Sequence, residues 1–180
     1  AGRDVQELVT TLMSPPYFPV DMQRLPSRRR FHTLTGAEQI LWHADTHEAS
    51  IEAAQAAGVA TDVRVLVHRT SSHPQNGAAV YRVEYAGRRL VFATDVEWRE
   101  RCDPAFLAFV EGADVLIHDA QYTPEEYHES KQGFGHSSFV TATEVANEAH
   151  IGKLVLFHHE PAHDDAQLDA MQAEARTHVD

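Results

Sequence analysis

With 180 residues, 43% apolar and 23% charged, the chain has the composition of one ordinary globular domain, which argues against a disordered segment. No run reaches the roughly 18 uncharged apolar residues that a membrane helix needs, and the opening residues lack the basic start and apolar stretch of a signal peptide, so the reading is a soluble, cytoplasmic protein. A formal net charge of -12 disfavours nucleic acid as a partner, because bulk capture of phosphates requires clustered Lys and Arg; the one basic run, Arg24 to Phe31, reads as a solvated edge.

In chain order, Val5, Leu8, Val9 and Leu12 fall at helical spacing, and the prolines between Ser14 and Val20 then impose an extended path. A less regular region follows to about residue 61. Within it, Ile40 to Gly58 has the form strand, His43-x-Asp45-x-His47, helix. His43 and His47 on one turn would suit a metal, but a solvated helix start capped by Asp45 or Thr46 is the plainer reading, and these residues stay outside the core site. Val63, Val65 and Val67 alternate as in a half-buried strand. A second alternating run, Ala78 to Tyr85, is joined to Leu90–Asp95 by a tight reversal at Ala86–Arg89, which makes an antiparallel hairpin.

Asp103 as N-cap, Pro104 at the first helical position and Gly112 beyond the last turn delimit a helix. A buried-type strand follows at Asp114–Ala120. A helix from Ser137 or Ser138 to Gly152 and a strand at Lys153–His158 complete a parallel crossover. The tail reads as a surface helix capped by Asp164 or Asp165, with Leu168, Met171 and Ala175 facing inward. The fold class is mixed α/β with an antiparallel part. Cys102, the one cysteine, excludes an internal disulfide and a thiolate metal cluster and reads as a small apolar filler.

The 13 histidines are the abnormal count, and their placement carries the functional argument. Three apolar strand runs end alike, at Asp95, at His118 and Asp119, and at His158 and His159. Ligands of α/β sheets collect beyond the carboxyl ends of strands, where side chains converge from rigid supports. Each residue alone has a structural explanation as turn former, cap or hydrogen-bonded histidine. Three such ends in one sheet, with two further His-bearing loops, point instead to divalent-metal hydrolysis. Imidazole nitrogen and carboxylate oxygen suit zinc, manganese or iron, and Asp95 is the candidate to bridge two ions roughly 3.5–4 Å apart.

Four segments, Ser71–Glu97, Gly112–Tyr127, Gly133–Ser138 and Leu154–Asp165, together resemble the C-terminal part of the metallo-β-lactamase superfamily, on its branch of ribonuclease Z-like and cyclic-nucleotide phosphodiesterase-like hydrolases. Met13–Asp21 resembles the segment that precedes these motifs in bacterial members. The resemblance implies an αββα sandwich of which this chain holds the C-terminal part. It implies His73, Asp95 and His158 as metal ligands, with Asp95 bridging. It also implies His136 as the group that contacts the scissile phosphate and protonates the leaving oxygen. Asp119 stands where that branch often has Glu and would orient His136 by a hydrogen bond. His159 is then supporting or structural.

The superfamily's His-x-His-x-Asp-His signature is absent. The expectation is therefore one incomplete domain over 1–180, with an insertion at about 38–61 and with an upstream segment that was removed or left out. A half-domain exposes the sheet face that its other half covers, which predicts association with that N-terminal half or with a second copy. The expected function is hydrolysis of a small phosphodiester by metal-activated water, with zinc, and with two ions once the missing motif is supplied. The alternative is a non-catalytic metal-binding or interaction module that needs a partner segment.

Overall fold

The computed structural model describes residues 4–54, 62–99 and 101–179. The chain divides into two compact units, 1–35 and 36–180.

In the first unit, Asp4 caps helix α1 (Val5–Leu12) by accepting the Gln6 N–H at 2.8 Å. The expected extended path through the prolines is instead a turn: the N–H groups of Tyr17 and Phe18 both donate to the Ser14 carbonyl at 3.0 Å. Proline fixes its own φ but leaves the carbonyl before it free to accept, so the chain can fold back. Arg29 donates to the carbonyls of Met22 and Leu25, so part of the basic run is folded onto its own backbone.

The second unit is built on one seven-stranded sheet in the order β2-β1-β3-β4-β5-β6-β7. Its strands are β1 (Glu38–His43), β2 (Glu48–Ala53), β3 (Val63–Thr70), β4 (Ala78–Tyr85), β5 (Arg88–Ala93), β6 (Val115–Asp119) and β7 (Leu154–Phe157). The pairs from β2 through β5 are antiparallel, and β5, β6 and β7 run parallel. The reversal at Ala86 and Gly87 uses positive φ at both positions, as a two-residue hairpin turn requires.

One expectation fails here. The segment after His47 is not helical: Glu48–Ala53 is β2, paired with β1 from Glu38↔Ala53 to His43↔Glu48. The alanines favour a helix only weakly, and the ladder to a strand already fixed by β3 overrides that preference. His43 and His47 therefore flank a turn and do not share a helical face; the remainder of the expected helix, 55–61, lies outside the described residues.

Helices α2 (Pro104–Val110), α3 (a single turn, Pro124–Glu126), α4 (Phe139–Glu148) and α5 (Asp165–Ala175) start at Asp103, Thr123, Ser138 and Asp164, each of whose side chains accepts a backbone N–H. The main core joins Val80, Val91, Leu116 and Val145 to Phe106 and Val110 of α2, and a second cluster joins Phe139 and Ala142 to Met171 and Ala175. Cys102 packs at the edge of the first, and burial pushes its thiol pKa up to about 12, as befits an inert filler. The valines that set the β3 alternation lie on the opposite side of the sheet. In register with them run Tyr81 and Phe92, then Val155 and Phe157, and Phe157 is 44% exposed.

On the helix side, the His68 ring stacks on Phe109 at 5.2 Å, with Nε2 lacking a partner among the described residues. Burial lowers its pKa below the ordinary 6.5, against the pull of the Asp103 carboxylate. The folded state thus favours the neutral ring. That contribution is intact above pH 6.5 and is lost as pH falls from there toward the lower folded value, because the unfolded chain takes up the proton first. Urea unfolding at about pH 7.5 and about pH 5.5 is expected to show a smaller loss of stability on acidification in His68→Phe than in the parent.

Candidate metal centre

Because β5, β6 and β7 are parallel neighbours, their carboxyl ends share one rim. Ala93 stands beside His118, and Asp119 beside Phe157. The chain leaves β5 through Thr94 to Asp95 and leaves β7 directly into His158. Both residues take positive φ, 59° and 63°, a conformation uncommon outside glycine and tolerated best by Asn, Asp and His. The left-handed residue comes two places after the end of β5 and directly after the end of β7. His158 Nε2 and Asp95 Oδ1 meet at 3.1 Å, with both side chains partly open to solvent.

These two atoms fit a metal. Two ligands bound to one tetrahedral ion at the usual bond lengths stand about 3.3 Å apart. His158 Nδ1, the ring's other nitrogen, is buried without a partner among the described residues. One ligand atom from each of Asp95, Asp119, His136 and His158 lies within 4.8 Å of the others. A set of imidazole nitrogen and carboxylate oxygen without thiolate suits a divalent ion of the zinc kind.

Asp119 has a different task from Asp95. It is wholly buried and its oxygens accept from the N–H groups of Val96 (3.3 Å), Gln121 (3.2 Å) and Ser137 (3.2 Å). His136 Nδ1 completes the set at 2.7 Å. That bond holds the proton on Nδ1 and leaves Nε2 as the nitrogen able to exchange one. The His136 ring stacks on His158 at 4.6 Å between centroids.

A residue without a role in the sequence reading holds the His136 loop. Glu97 is 6% exposed, and its carboxylate accepts from the N–H groups of Gly133 (2.6 Å) and Gly135 (3.0 Å) and from the Tyr127 hydroxyl (2.9 Å). Gly135 has φ 96°, and a Cβ there would run into His73 and Pro74, so only glycine allows the two loops this approach. The sequence signal was the acid two places after Asp95, in a segment otherwise ending a strand. Burial, and then Glu97 itself, push the Tyr127 pKa up to about 12.

Of the three expected ligands, Asp95 and His158 come together. His73 is not a member of the four-residue group; its ring lies edge-on to His136 with centroids 5.5 Å apart. His118 is structural: its Nδ1 bonds the Asp119 carbonyl at 2.7 Å, and its Nε2 accepts from Trp98 Nε1 at 3.2 Å. Burial lowers its pKa, in keeping with a neutral ring. His159 is exposed. His163, also unassigned from sequence, bonds Glu126 at 2.9 Å and ties the segment after β7 to α3.

The model of the beta-lactamase superfamily domain matches residues 16–159. The chain belongs to the beta-lactamase superfamily. Its similarity to curated superfamily members includes Ribonuclease Z of Thermoplasma acidophilum, 33% identical over 105 residues, which cover 52% of this chain and 33% of that protein. Ribonuclease Z of Prochlorococcus marinus is 40% identical over 75 residues, 42% of this chain and 22% of that protein. The metallo-beta-lactamase fold protein YhfI from Bacillus subtilis has a TM-score of 0.54 at 22% identity, covering 68% of this chain and 46% of that one. The α/β fold expected from the resemblance is thus the fold observed. The chain spans about a third or less of the curated relatives it matches.

The name ribonuclease borne by these relatives goes against the expectation that nucleic acid is disfavoured. That expectation used the net charge, an average over the whole surface, whereas attraction of a phosphate depends on the field at one cleft.

Replacing Glu97 by Gln removes one acceptor oxygen and leaves a buried donor unpaired. We expect a loss of about 1–3 kcal/mol in urea denaturation and a fall in the Tyr127 pKa from about 12 in a spectroscopic titration. Stability and titration both equal to the parent would show that the carboxylate does not hold the loop.

Proposed function

We propose that the chain carries the catalytic rim of a metal-dependent phosphodiesterase. The observation that supports this reading best is the pairing of two units side by side: the Asp95–His158 donor pair, and a histidine oriented through Nδ1 by a buried carboxylate. Asp95 and His158 would hold the ion, and the resemblance adds His73. Zinc is the metal this donor set suits most directly, with manganese or iron also accommodated. When bound, the ion supplies Lewis-acid polarisation of a phosphoryl oxygen and acidifies water at neutral pH.

The remaining steps belong to the chain's own groups. His136, protonated on both nitrogens, is stabilised by the Asp119 carboxylate at Nδ1 and gives its Nε2 proton to the departing oxygen. Asp119 does not turn away, because three backbone N–H groups fix its two oxygens. Glu97 keeps the His136 loop in place by the bonds to Gly133 and Gly135. The substrate class is the phosphodiester, and within it the name of the curated relatives supports RNA.

A second reading, that the chain is a module completed by a partner, is favoured by the face bearing Leu90, Phe92 and Phe157, where Leu90 and Phe157 are 37% and 44% exposed. The partner would be another segment of a longer polypeptide or a second copy. Light scattering of the purified chain, alone and with a superfamily N-terminal half, separates the two.

The reaction is tested on metal content and on hydrolysis of bis(p-nitrophenyl) phosphate by protein loaded with zinc. Asp95→Ala and His158→Ala are expected to lose bound metal, whereas His136→Ala keeps it and loses about 10²–10⁴-fold in rate. Full metal content in both ligand variants would remove the proposed centre.

A further inference from the structure

The Glu97 carboxylate has a fourth neighbour, Arg99, whose Nε lies 3.4 Å from Oε1. Here the charges are sorted by depth. The Glu97 side chain is 3% exposed and is bonded from within, while that of Arg99 is 64% exposed, with Nη2 lying against Gly133. Arg101, also exposed, follows on the same side. Both arginines line a cavity of about 610 Å³ with Ser71, Ser72 and His73. Among the described residues, the other acid of its wall, Asp103, spends Oδ1 on the Ala105 N–H as the cap of α2.

Two features tie this groove to a ligand. The Ser72 hydroxyl is buried without a hydrogen-bond partner among the described residues, although the Ser72 N–H is satisfied by Thr70 Oγ1 at 3.1 Å and its carbonyl by the Glu97 N–H at 3.0 Å. His73, at the groove's end, is the residue whose ring meets His136. The groove therefore adjoins the candidate reaction centre through His73 and is lined by two guanidiniums and by Ser72, a donor-rich set that matches phosphate oxygens.

We propose that this groove is a second anion subsite, which binds a phosphate group one nucleotide removed from the scissile one through Arg99, Arg101 and Ser72. The proposal rests on the phosphodiesterase reading for the identity of its ligand. Arg99 and Arg101 select for substrates that carry this second phosphate, and Glu97 holds Arg99 in place from below. The phosphate is either an internal one of an oligonucleotide or the terminal one of a phosphorylated dinucleotide.

The test is binding without turnover, by calorimetry in EDTA, with ApA, pApA and ApApA as probes. Preference for pApA over ApA reports a terminal phosphate, and preference for ApApA over ApA an internal one; about tenfold is expected for a charge-assisted contact, with erosion between about 50 and 200 mM salt. Arg101→Ala, which leaves the Arg99–Glu97 contact alone, should remove most of the preference, and Arg101→Glu should abolish or invert it. Equal affinity of the parent for all three probes overturns the subsite, as does a preference that survives in both variants. Because no hydrolysis is measured, a failure of the metal and rate experiments would dismiss the reaction while leaving this result intact.

Discussion

Asp119 gathers donors from three separate segments onto one buried carboxylate: Val96 just after β5, Gln121 just after its own strand, and His136 with Ser137 from the loop before α4. An ionised group at this depth is tolerable only with its oxygens satisfied, and the same bonds that satisfy it set the position of the His136 ring. The arrangement is therefore structural and chemical at once. Removing the carboxylate would leave three backbone N–H groups unpaired as well as an unoriented histidine.

Around this centre, Glu97 repeats the device one layer out, and the two acids share the loop between them. Glu97 takes the N–H groups of Gly133 and Gly135, and Asp119 takes the side chain and backbone of the two residues that follow. Ser137 Oγ closes the ring by donating to the Val96 carbonyl at 2.7 Å. A loop of small residues, with few apolar contacts of its own, is thereby held by charge-assisted bonds to rigid strand ends.

Much of this was legible in the sequence because strand ends announce themselves. Apolar runs that stop at Asp95, Asp119 and His158 need only parallel neighbours to converge, and the crossover through α4 supplied them. The caps at Asp103, Ser138 and Asp164 were equally local signals. What the sequence could not carry was pairing across distance. The alanine-rich stretch after His47 has no local mark of β structure, and its strand exists only because β1 is there to receive it. Glu97 had no role assigned from the sequence, since the glycine amides that meet its carboxylate come from 36 and 38 residues away. The alternation of Val63, Val65 and Val67 was read correctly as a strand, yet it marks the face away from α2; Leu66, His68 and Arg82 cover the helix side, Arg82 through its bond to the Phe109 carbonyl.

The left-handed backbone at Asp95 and His158 limits how this rim can vary. A β-branched residue at either place would have to strain or straighten the turn, whereas asparagine keeps the bend at little cost. Sequence drift at these two sites is consequently channelled toward residues that preserve the path of the chain even where the donor atom is altered, so a descendant that had given up its chemistry would still retain the shape of the mouth.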